Sequence, residues 1–465
     1  MWLSLNTINR MVDTRGIAPE EIAHRLTMSS AEIESIERMG AHLETVVTAK
    51  ITEMKQHPNA DKLTVCDLDA GSEKFRVVCG APNHRAGDIV ALARIGTKFS
   101  EEFTVKKAKI RGEESDGMLC SEKELGLSED HTGIMILPPG TKLGVTLASL
   151  FPDWSDTRLE IDNKSITHRP DLWSHAGFAR EIAALFGREF KSVVDLSIAD
   201  TFKGTAPFTV AIKDPAASPR YCGLAVKNIK IAESPAWLKA AVTAIGMRPI
   251  NNIVDVTNYV MAELGEPMHA FDRKKLRGDQ IIVRLAGSGE KLVTLDGQEH
   301  ALTAEDVLIT DAGGAIALAG VMGGGNSEIE DATTEIILEA ANFNPVNIRK
   351  TAARFTMRTE AAIRFEKSLD SEVCPAALVR CFQIIREMVP AAEAMGPIMD
   401  AYPVKAKPVS IRTSADFIRR KLGQDVDDAR INAILTSLDF KVTQSGEGLD
   451  IAVPTYRATK DVSIP

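Results

Sequence analysis

Apolar side chains recur at steps of three and four residues within the segment 248–272, which predicts an amphipathic helix that stops at Gly265. The apolar stripe consists of Ile253, Val256, Val260 and Leu264. Gly265 and Pro267 follow, as is typical of a helix C-terminus. The pattern places His269 on a short turn, where the helix C-terminus favours a cation and a pKa near neutrality. Taken alone, this position is more typical of a hydrogen-bonded loop histidine than of a catalyst.

Periodicity predicts further elements in the first half of the chain. A helix begins near Pro19, and its apolar side consists of Ile22, Ala23, Leu26 and Met28. A short helix or strand follows within 31–37, and the run SHAGFAREIAALFGR predicts a helix with Phe178, Ile182, Leu185 and Phe186 on one face. Between residues 42 and 150, four apolar runs separated by turn residues are typical of a small closed barrel: VVTAKITEM, KLTVCDLDA, KFRVVCGA and IVALARIG.

The second half mixes strands and helices up to a predicted domain boundary near residue 403. Strands are expected at 281–286, 292–295, 307–309 and 335–339, with a hairpin turn at Asp296-Gly297. A late helix carries Leu378, Cys381, Phe382, Ile385 and Met388. Clustered prolines mark the boundary. The pattern in residues 408–465 predicts two short helices and strands. We expect the second helix to bury Ile431, Ile434, Leu435 and Leu438. Because no closing element follows, we expect a piece of a longer chain.

Composition narrows the class of protein. A chain of 465 residues, 44% hydrophobic and 26% charged, is typical of a soluble protein with several domains. It contains no apolar run long enough for a membrane span and no signal peptide at its start. The net charge of −9 argues against indiscriminate binding of polyanions. The six cysteines have no zinc spacing, which indicates reduced thiols in a cytoplasmic protein.

One segment of the predicted barrel, TVKKAKIRG at 104–112, is strongly basic. On a strand, Lys107, Lys109 and Arg111 share one face with steps of about 7 Å, close to the phosphate step of an extended RNA strand. A solvated strand face is the commoner explanation without context. The motifs HPNADKL, CGAPN and GMLCSEKELGL supply that context, because they resemble the tRNA-binding oligonucleotide-fold domain of several synthetases. Few aromatic residues are present, so we expect phosphate and shape recognition.

Longer motifs, in order along the chain, resemble the bacterial phenylalanyl-tRNA synthetase beta subunit. They are ITHRPDLWSHAGFAREIAAL, RPINNIVDVTNYVMAELGEPMHAFD, ALAGVMGGGNSEI, ILEAANFNPVNIRKTAARFTMRTEAAIRFEKSLD and VPTYRATKDV. The resemblance implies an α+β multidomain protein. It comprises an N-terminal α+β domain (1–41 with 152–200), an inserted oligonucleotide-fold β-barrel (42–151), a mixed α/β editing domain of B3/B4 type (201–402) and a truncated winged-helix-like B5-type domain (403–465).

The resemblance also implies site residues in the central domain. The family's domain hydrolyses tyrosine wrongly attached to the phenylalanine tRNA. His269 matches an editing-site histidine, and Glu339 matches an acid that contacts the tyrosine hydroxyl. Thr359 matches the same pocket, and we expect a catalytic role for it beside them, whereas Ala361 and Gly323 match residues of the pocket wall. Without the resemblance, a carboxylate beside Ile337 on a strand is more often a solvated edge residue.

A physical argument supports an editing site. Tyrosine and phenylalanine differ by one hydroxyl, and an apolar synthetic pocket rejects an added hydroxyl only ~10²-fold. A second site that hydrogen-bonds the hydroxyl through a charged carboxylate gains ~1.5–3 kcal/mol, which is a ten- to hundred-fold preference. The expected chemistry is attack by a positioned water, with backbone amides of 320–325 as one source of oxyanion donors. The alternative for the glycine run is a tight turn; an ATP loop is excluded because the run lacks Lys-Ser/Thr.

Cofactor and partner expectations follow from the same resemblance. Asp461 matches the first of several carboxylates that bind Mg²⁺, but one carboxylate is not a site. ATP is used by the alpha subunit, with which the family forms an alpha2beta2 heterotetramer, so this chain alone should not charge tRNA. The predicted function is tRNA(Phe) binding and hydrolysis of tyrosyl-tRNA(Phe) in the cytoplasm, without a membrane. The alternative is a non-catalytic tRNA-docking and assembly module with an inactive editing pocket.

Overall fold

The computed structural model describes residues 1–445, 448–460 and 462. The chain divides into two compact units, one formed by Met1–Ile36 with Leu159–Pro465 and the other by Glu37–Arg158. Among the residues described, no helix has the length and apolar character needed to cross a membrane. All six cysteines are buried and carry free thiols.

The chain begins with two strands and two helices that include the predicted helix at Pro19. These elements are β1 (Trp2–Ser4), α1 (Leu5–Ile8), α2 (Pro19–Thr27) and β2 (Ile33–Met39). Ile22, Ala23 and Leu26 are buried, as the periodicity predicts. Met28 was wrongly placed on the apolar side, because it follows the last helical residue as the C-cap and is 73% exposed.

The unit Glu37–Arg158 is built on a six-stranded antiparallel sheet that curls into a nearly closed barrel. Its hydrogen-bonded order is β10-β6-β3-β4-β5, with β9 paired to β6. The four predicted strands are present as β3 to β6. The elements are β3 (Val46–Gln56), β4 (Thr64–Asp69), β5 (Lys74–Cys79), β6 (Ile89–Ala93), β7 (Ala108–Ile110), β8 (Glu113–Ser115), β9 (Met118–Leu119), β10 (Ile136–Leu137) and α3 (Leu147–Leu150).

The chain then passes through β11 (Asp156–Ile161) into the helix α4 (His175–Phe186). Ser174 caps α4 by accepting a hydrogen bond from the Gly177 amide, and Gly187 ends it in the left-handed conformation at φ 61°. The predicted face of α4 packs inward, with Phe178 and Ile182 fully buried.

Two sheets and several helices form the central part of the chain. One sheet has the order β12-β15-β18-β19-β20 and the other β14-β21-β13-β22, with β23 also paired to β13. The elements are β12 (Thr209–Ile212), β13 (Arg220–Lys227), α5 (Ala236–Ala244), α6 (Asn252–Leu264), β14 (Met268–Asp272), β15 (Gln280–Leu285), β16 (Lys291–Val293), β17 (Glu299–Ala301), β18 (Val307–Asp311), β19 (Gly314–Leu318), β20 (Met322–Gly323), β21 (Glu335–Asn342), α7 (Pro345–Phe355), α8 (Glu360–Phe365), α9 (Val373–Met388), β22 (Glu393–Ala394) and β23 (Met399–Ala401).

The sheet that contains β21 separates two hydrophobic cores. On one face, Ile337 and Ala341 belong to a core shared with the sheet of β18 and β19. On the other face, Ile336, Leu338 and Ala340 pack in a core shared with α5, α6 and α9. Because alternate residues of a strand point to opposite faces, β21 contributes to both cores at once.

The helix α6 stops at Gly265, as the sequence predicts. Asn251 caps it by accepting hydrogen bonds from the amides of Ile253 and Val254, and Gly265 ends it at φ 84°. The apolar stripe is buried except for Leu264, which is partly exposed. A glycine at the end of α6 avoids the strain that a side chain would suffer at positive φ.

The C-terminal part contains a three-stranded antiparallel sheet and two helices. They are β24 (Val409–Thr413), α10 (Ala415–Leu422), α11 (Asp428–Ser437), β25 (Lys441–Ser445) and β26 (Gly448–Val453), with sheet order β24-β26-β25. Ile431 is buried on α11 as predicted. Ile434 is not, because it points away from the sheet and is 40% exposed.

A buried ion pair joins α6 to α9. The Arg380 guanidinium donates to both Glu263 oxygens at 2.7 and 3.0 Å, and the Tyr259 hydroxyl donates to Glu263 at 2.7 Å. The Glu263 side chain is 0% exposed and that of Arg380 is 7% exposed. Glu263 is therefore held in an apolar surrounding by its partners rather than by water.

We expect Arg380→Met to lower the free energy of unfolding by ~3–5 kcal/mol, because it leaves the Glu263 carboxylate buried without its counter-charge. Lys350→Met is the matched control, since the ion pair of Lys350 with Glu305 has both side chains more than half exposed. That control should cost less than ~1 kcal/mol. Chemical denaturation of both variants measures the difference, and equal losses would contradict the prediction.

Candidate functional site

His269 and Glu339 face each other on neighbouring strands. In the antiparallel pairing of β14 with β21, residue 269 lies directly opposite residue 339. Directly opposed residues on an antiparallel pair point to the same face, with Cβ atoms about 5 Å apart. Both side chains therefore meet on the face that also carries Phe271 and Ile337, although 69 residues separate them along the chain.

A cavity of about 100 Å³ lies over this pair. The sheet of β21 forms its floor, and the glycine run and α8 form its walls. Apolar and small residues make up nearly all of its lining, so His269 and Glu339 are its only ionisable members. The lining residues are Pro267, Met268, His269, Ile309, Ala317, Leu318, Gly320, Val321, Met322, Gly323, Glu339, Ala361 and Phe365.

Glu339 is a buried acid without a partner. The residue is 6% exposed, and none of the described residues forms a hydrogen bond or ion pair with its carboxyl group. Burial without a compensating charge raises its pKa to about 8. The carboxyl group is therefore mostly protonated at neutral pH, whereas the sequence argument assumed a charged carboxylate.

His269 does not lie on a turn, and its predicted titration near neutrality is wrong. It belongs to the strand β14, and its buried Nε2 atom has no hydrogen-bond partner among the residues that the structure describes. Burial lowers the pKa of His269 to about 4, so the imidazole is neutral at pH 7. Its ring packs edge-on against Phe271 with ring centroids 4.6 Å apart. The helix C-terminus exerts no effect that outweighs this desolvation.

The absence of a side chain at Gly323 keeps space for the histidine ring. A Cβ atom at this position would lie 2.8 Å from His269 Cε1 and 3.0 Å from Nε2. On the other side of Glu339, the β13 residue paired with it is Gly223. A Cβ atom at Gly223 would lie 2.8 Å from the Phe208 ring, so this position also has no room for a side chain. Glycines thus flank the two polar side chains.

Thr359 and Ala361 lie where the chain enters α8. The Thr359 hydroxyl accepts a hydrogen bond from the Ala362 amide at 3.1 Å, which caps the helix, and donates one to the Val321 carbonyl at 3.0 Å. Its observed contacts hold α8 against the cavity wall, and a catalytic role for Thr359 stays a prediction. Ala361 lines the cavity.

Several amides in the glycine run already have acceptors. The Val321, Gly324 and Gly325 amides donate to the carbonyls of Leu318, Ile316 and Val293 at 3.0, 2.8 and 3.1 Å. These three groups are therefore not free to stabilise an oxyanion. The run forms a short strand and tight turns, which matches the alternative considered from the sequence.

Tyr221 was not singled out from the sequence. It lies on β13 opposite Ala341, which makes it a diagonal neighbour of Glu339 on the same face. Its hydroxyl is buried without a hydrogen-bond partner, and burial, with the nearby Glu339 charge, raises its pKa well above 10. The apolar run within RYCGLAVK predicts a strand, but only the register of this strand with β21 shows that Tyr221 lies near Glu339.

The predicted row of three cations on one strand face is wrong. The strand β7 covers only Ala108–Ile110, and Arg111 lies in the turn after it at φ 47°. Lys107 precedes the strand and pairs with Glu114 and Asp116 at 2.9 and 3.1 Å. Lys109 is exposed and forms no ion pair with any residue in the described ranges. A tRNA-binding role for these three residues stays a prediction.

The described part of the chain does not fit a metal site. It contains no group of three His, Cys, Asp or Glu side chains placed to hold a metal ion. Asp461, the predicted Mg²⁺ ligand, lies outside the described residues.

Three family models match consecutive parts of the chain. A model for a putative tRNA binding domain matches residues 46–146, one for the B3/4 domain matches 217–390, and one for the tRNA synthetase B5 domain matches 411–465. The cavity with His269 and Glu339 lies inside the B3/4 match.

Curated proteins named phenylalanine–tRNA ligase beta subunit are similar over nearly the whole chain. The protein of Geobacter sulfurreducens is 42% identical over 98% of this chain and 57% of its own length. The proteins of Anaeromyxobacter dehalogenans and Salinibacter ruber are 42% and 37% identical over 100% of this chain, each again over 57% of its own length. The chain thus spans little more than half the length of these relatives.

A solved N-terminal fragment of the phenylalanyl-tRNA synthetase beta subunit from Pyrococcus horikoshii also matches. It covers 65% of this chain and 82% of its own, with 15% identity and a TM-score of 0.34. A likeness at this level carries no structural argument.

The pKa of Glu339 predicts how stability depends on pH. Between its unfolded value near 4.5 and its folded value of about 8, the folded protein holds a proton that the unfolded chain has released. Stability therefore falls as pH rises through this window. His269 has the opposite effect, but only between about 4 and 6.5. From pH 6.5 to 8, wild type should lose about 2 kcal/mol relative to Glu339→Gln.

Chemical denaturation of both proteins at a series of pH values measures this difference. Two curves that remain parallel from pH 6.5 to 8 would contradict the raised pKa. Above about pH 9 the difference should stop growing, because Glu339 is then almost fully ionised in both states.

Proposed function

Since the chain belongs to the phenylalanine–tRNA ligase beta subunit family, we propose that it binds tRNA(Phe) and hydrolyses tyrosine wrongly attached to it. The observation that carries the proposal is the pairing of His269 with Glu339 in one cavity. A cavity lined by apolar residues with two unpartnered polar groups suits an aromatic ring that bears a single hydroxyl.

In the proposed site, the Glu339 carboxyl group binds the phenol hydroxyl of tyrosine. The protonated acid both donates and accepts a hydrogen bond, and a phenol does the same. A phenylalanine ring would fill the cavity and leave the acid unpaired, at a cost of ~1–3 kcal/mol. The site therefore prefers the amino acid that the synthetic pocket fails to reject.

Hydrolysis requires a water molecule at the ester carbonyl. Water attacks the carbonyl carbon, the bond to the ribose oxygen breaks, and that oxygen leaves with a proton as a tRNA hydroxyl. Neutral His269 offers a buried Nε2 with no hydrogen-bond partner among the described residues, which suits it to orient the attacking water through a hydrogen bond. Thr359 holds the wall through its bond to Val321. No step uses Mg²⁺, because the described residues do not fit a metal site.

The barrel supplies tRNA binding in this proposal. Lys109 and Arg111 are basic residues at the end of a two-stranded ribbon, β7 with β8. Their charges attract the phosphate backbone, which favours shape-dependent rather than base-specific binding. Lys107 contributes less, because two carboxylates already neutralise it.

The finer domain organisation and the assembly also belong to the proposal. The proposed domains are an N-terminal α+β domain formed by residues 1–41 and 152–200, an oligonucleotide-fold barrel at 42–151, an editing domain at 201–402 and a winged-helix-like domain at 403–465. We propose assembly with the alpha subunit as an alpha2beta2 heterotetramer in the cytoplasm. The alpha subunit charges the tRNA with ATP and Mg²⁺, and this chain removes tyrosine.

Deacylation of tyrosyl-tRNA(Phe) by the complete two-subunit enzyme tests the editing function. Gly323→Ala should slow hydrolysis at least ten-fold, because its Cβ atom displaces the His269 ring. Gly325→Ala is the matched control from the same run, since its Cβ would lie 3.7 Å from the Thr294 carbonyl, an ordinary contact, so its rate should stay within two-fold of wild type.

Glu339→Ala in the same assay should also lower the rate strongly, by ten- to hundred-fold at limiting substrate. Melting temperatures of the three variants separate loss of the site from loss of folding. No hydrolysis by the wild-type enzyme would overturn the editing proposal and leave a tRNA-docking module with an inactive pocket.

Lys109→Gln should weaken tRNA(Phe) binding and make the affinity less dependent on salt. Loss of one phosphate contact reduces the slope of log affinity against log salt by about one. Lys74→Gln, a lysine of β5 in the same barrel, is the control with a smaller expected change. Filter binding at several salt concentrations measures both, and equal slopes for the two variants would contradict the assignment.

A further inference from the structure

A hairpin of β16 and β17 is fixed to the wall of the cavity. The Leu295 amide donates to the Gly323 carbonyl at 3.0 Å, and the Gly325 amide donates to the Val293 carbonyl at 3.1 Å. A β-bridge between Thr294 and Gly324 lies between these two bonds. The end of the hairpin is therefore held in one position relative to the glycine run.

This end of the hairpin presents two apolar side chains to solvent. Val293 is 48% exposed and Leu295 is 41% exposed, whereas Thr294 between them is 1% exposed. The Thr294 hydroxyl donates to the Asp296 carboxylate and accepts a hydrogen bond from His300 Nε2, which fixes it inward. The alternation directs Val293 and Leu295 outward together.

Leu295 lies at the edge of the cavity. The position that a Gly323 Cβ atom would occupy is 3.1 Å from Leu295 Cδ1 and 2.8 Å from His269 Cε1. Both side chains thus contact Gly323, but only His269 lines the cavity. Leu295 and Val293 therefore form an apolar rim beside Gly323, a partly exposed residue of the cavity lining.

The size of the cavity determines which part of the substrate contacts this rim. A cavity of about 100 Å³ accommodates an amino acid side chain, and a nucleoside is too large to enter with it. The ester bond joins the two parts of the substrate, so the terminal nucleoside must lie within a few bonds of the cavity mouth. Nucleic acid bases have apolar faces that pack on exposed side chains without base-specific hydrogen bonds.

Resting on the proposed editing function, we propose that Val293 and Leu295 form the seat for the terminal adenine of the mischarged tRNA. The seat positions the ester carbonyl beside His269 through contact with the base rather than with the amino acid. Its chemistry is packing of an aliphatic surface against a purine face. Scattered exposed apolar residues need no explanation, but these two lie on the same side of the hairpin beside the glycine run that lines the cavity.

The test uses deacylation of tyrosyl-tRNA(Phe) by the two-subunit enzyme. Leu295→Ser should raise KM about ten-fold and leave kcat within two-fold, because it removes binding of the base and no group of the reaction. Leu295→Met should restore KM, since methionine keeps an apolar surface. Ile250→Ser is the matched control, because Ile250 is 65% exposed and is absent from the cavity lining.

A binding measurement separates the seat from the cavity. The probes are tyrosine joined to adenosine by a non-hydrolysable amide, and tyrosine amide without the nucleoside. Leu295→Ser should weaken binding of the first about ten-fold and leave the second unchanged. Equal affinity of wild type and Leu295→Ser for the adenosine probe would overturn the seat, even if wild-type deacylation is normal. If the wild-type enzyme does not deacylate tyrosyl-tRNA(Phe), the proposed editing function itself is overturned.

Discussion

The pairing of β21 with β13 on one side and β14 on the other is the interaction on which this part of the molecule depends. It fixes which residues face each core, because a shift of one position would turn every side chain of β21 to the opposite face. In the observed register, Ile336, Leu338 and Ala340 face the helical core, and Glu339 faces the cavity between Gly223 and His269. The same hydrogen bonds that build the sheet therefore assemble the site.

The site is costly for the fold in a specific way. Buried polar groups nearly always have hydrogen-bond partners, yet Glu339 has none among the described residues, and neither does His269 Nε2 or the Tyr221 hydroxyl. Elsewhere the same unit satisfies its buried charges, as Glu263 does with Arg380 and Tyr259. Three groups without partners on one face of this sheet suit the surface to bind a ligand, at a cost to the stability of the fold.

The sequence predicted the elements of the site better than its electrostatics. The stripe from Ile253 to Leu264 and the stop at Gly265 define α6 because they depend only on neighbours along the chain. The state of His269 depends on β21, about 70 residues away, so local reasoning assigned it a turn and the wrong pKa. The prediction of an unpaired cation at Lys107 was wrong for a similar reason. Its partners Glu114 and Asp116 approach it across a hairpin turn. Family resemblance identified Glu339, but not Tyr221 or the rim at Leu295.

In the proposed editing function, protonation of Glu339 changes how the cavity distinguishes two rings that differ by one hydroxyl. A charged carboxylate would gain more from a phenol, but it would first have to lose its hydration in an apolar pocket without a counter-charge, which costs more than the bond returns. Because its pKa is about 8, Glu339 is neutral when it is buried in the folded protein, and the fold avoids that cost. Discrimination then rests on the penalty for leaving a neutral buried acid unpaired, ~1–3 kcal/mol, which is a factor of about ten to a hundred. That factor is comparable with the ~10²-fold limit of an apolar synthetic pocket, so the two sites in succession would reach the accuracy that neither reaches alone.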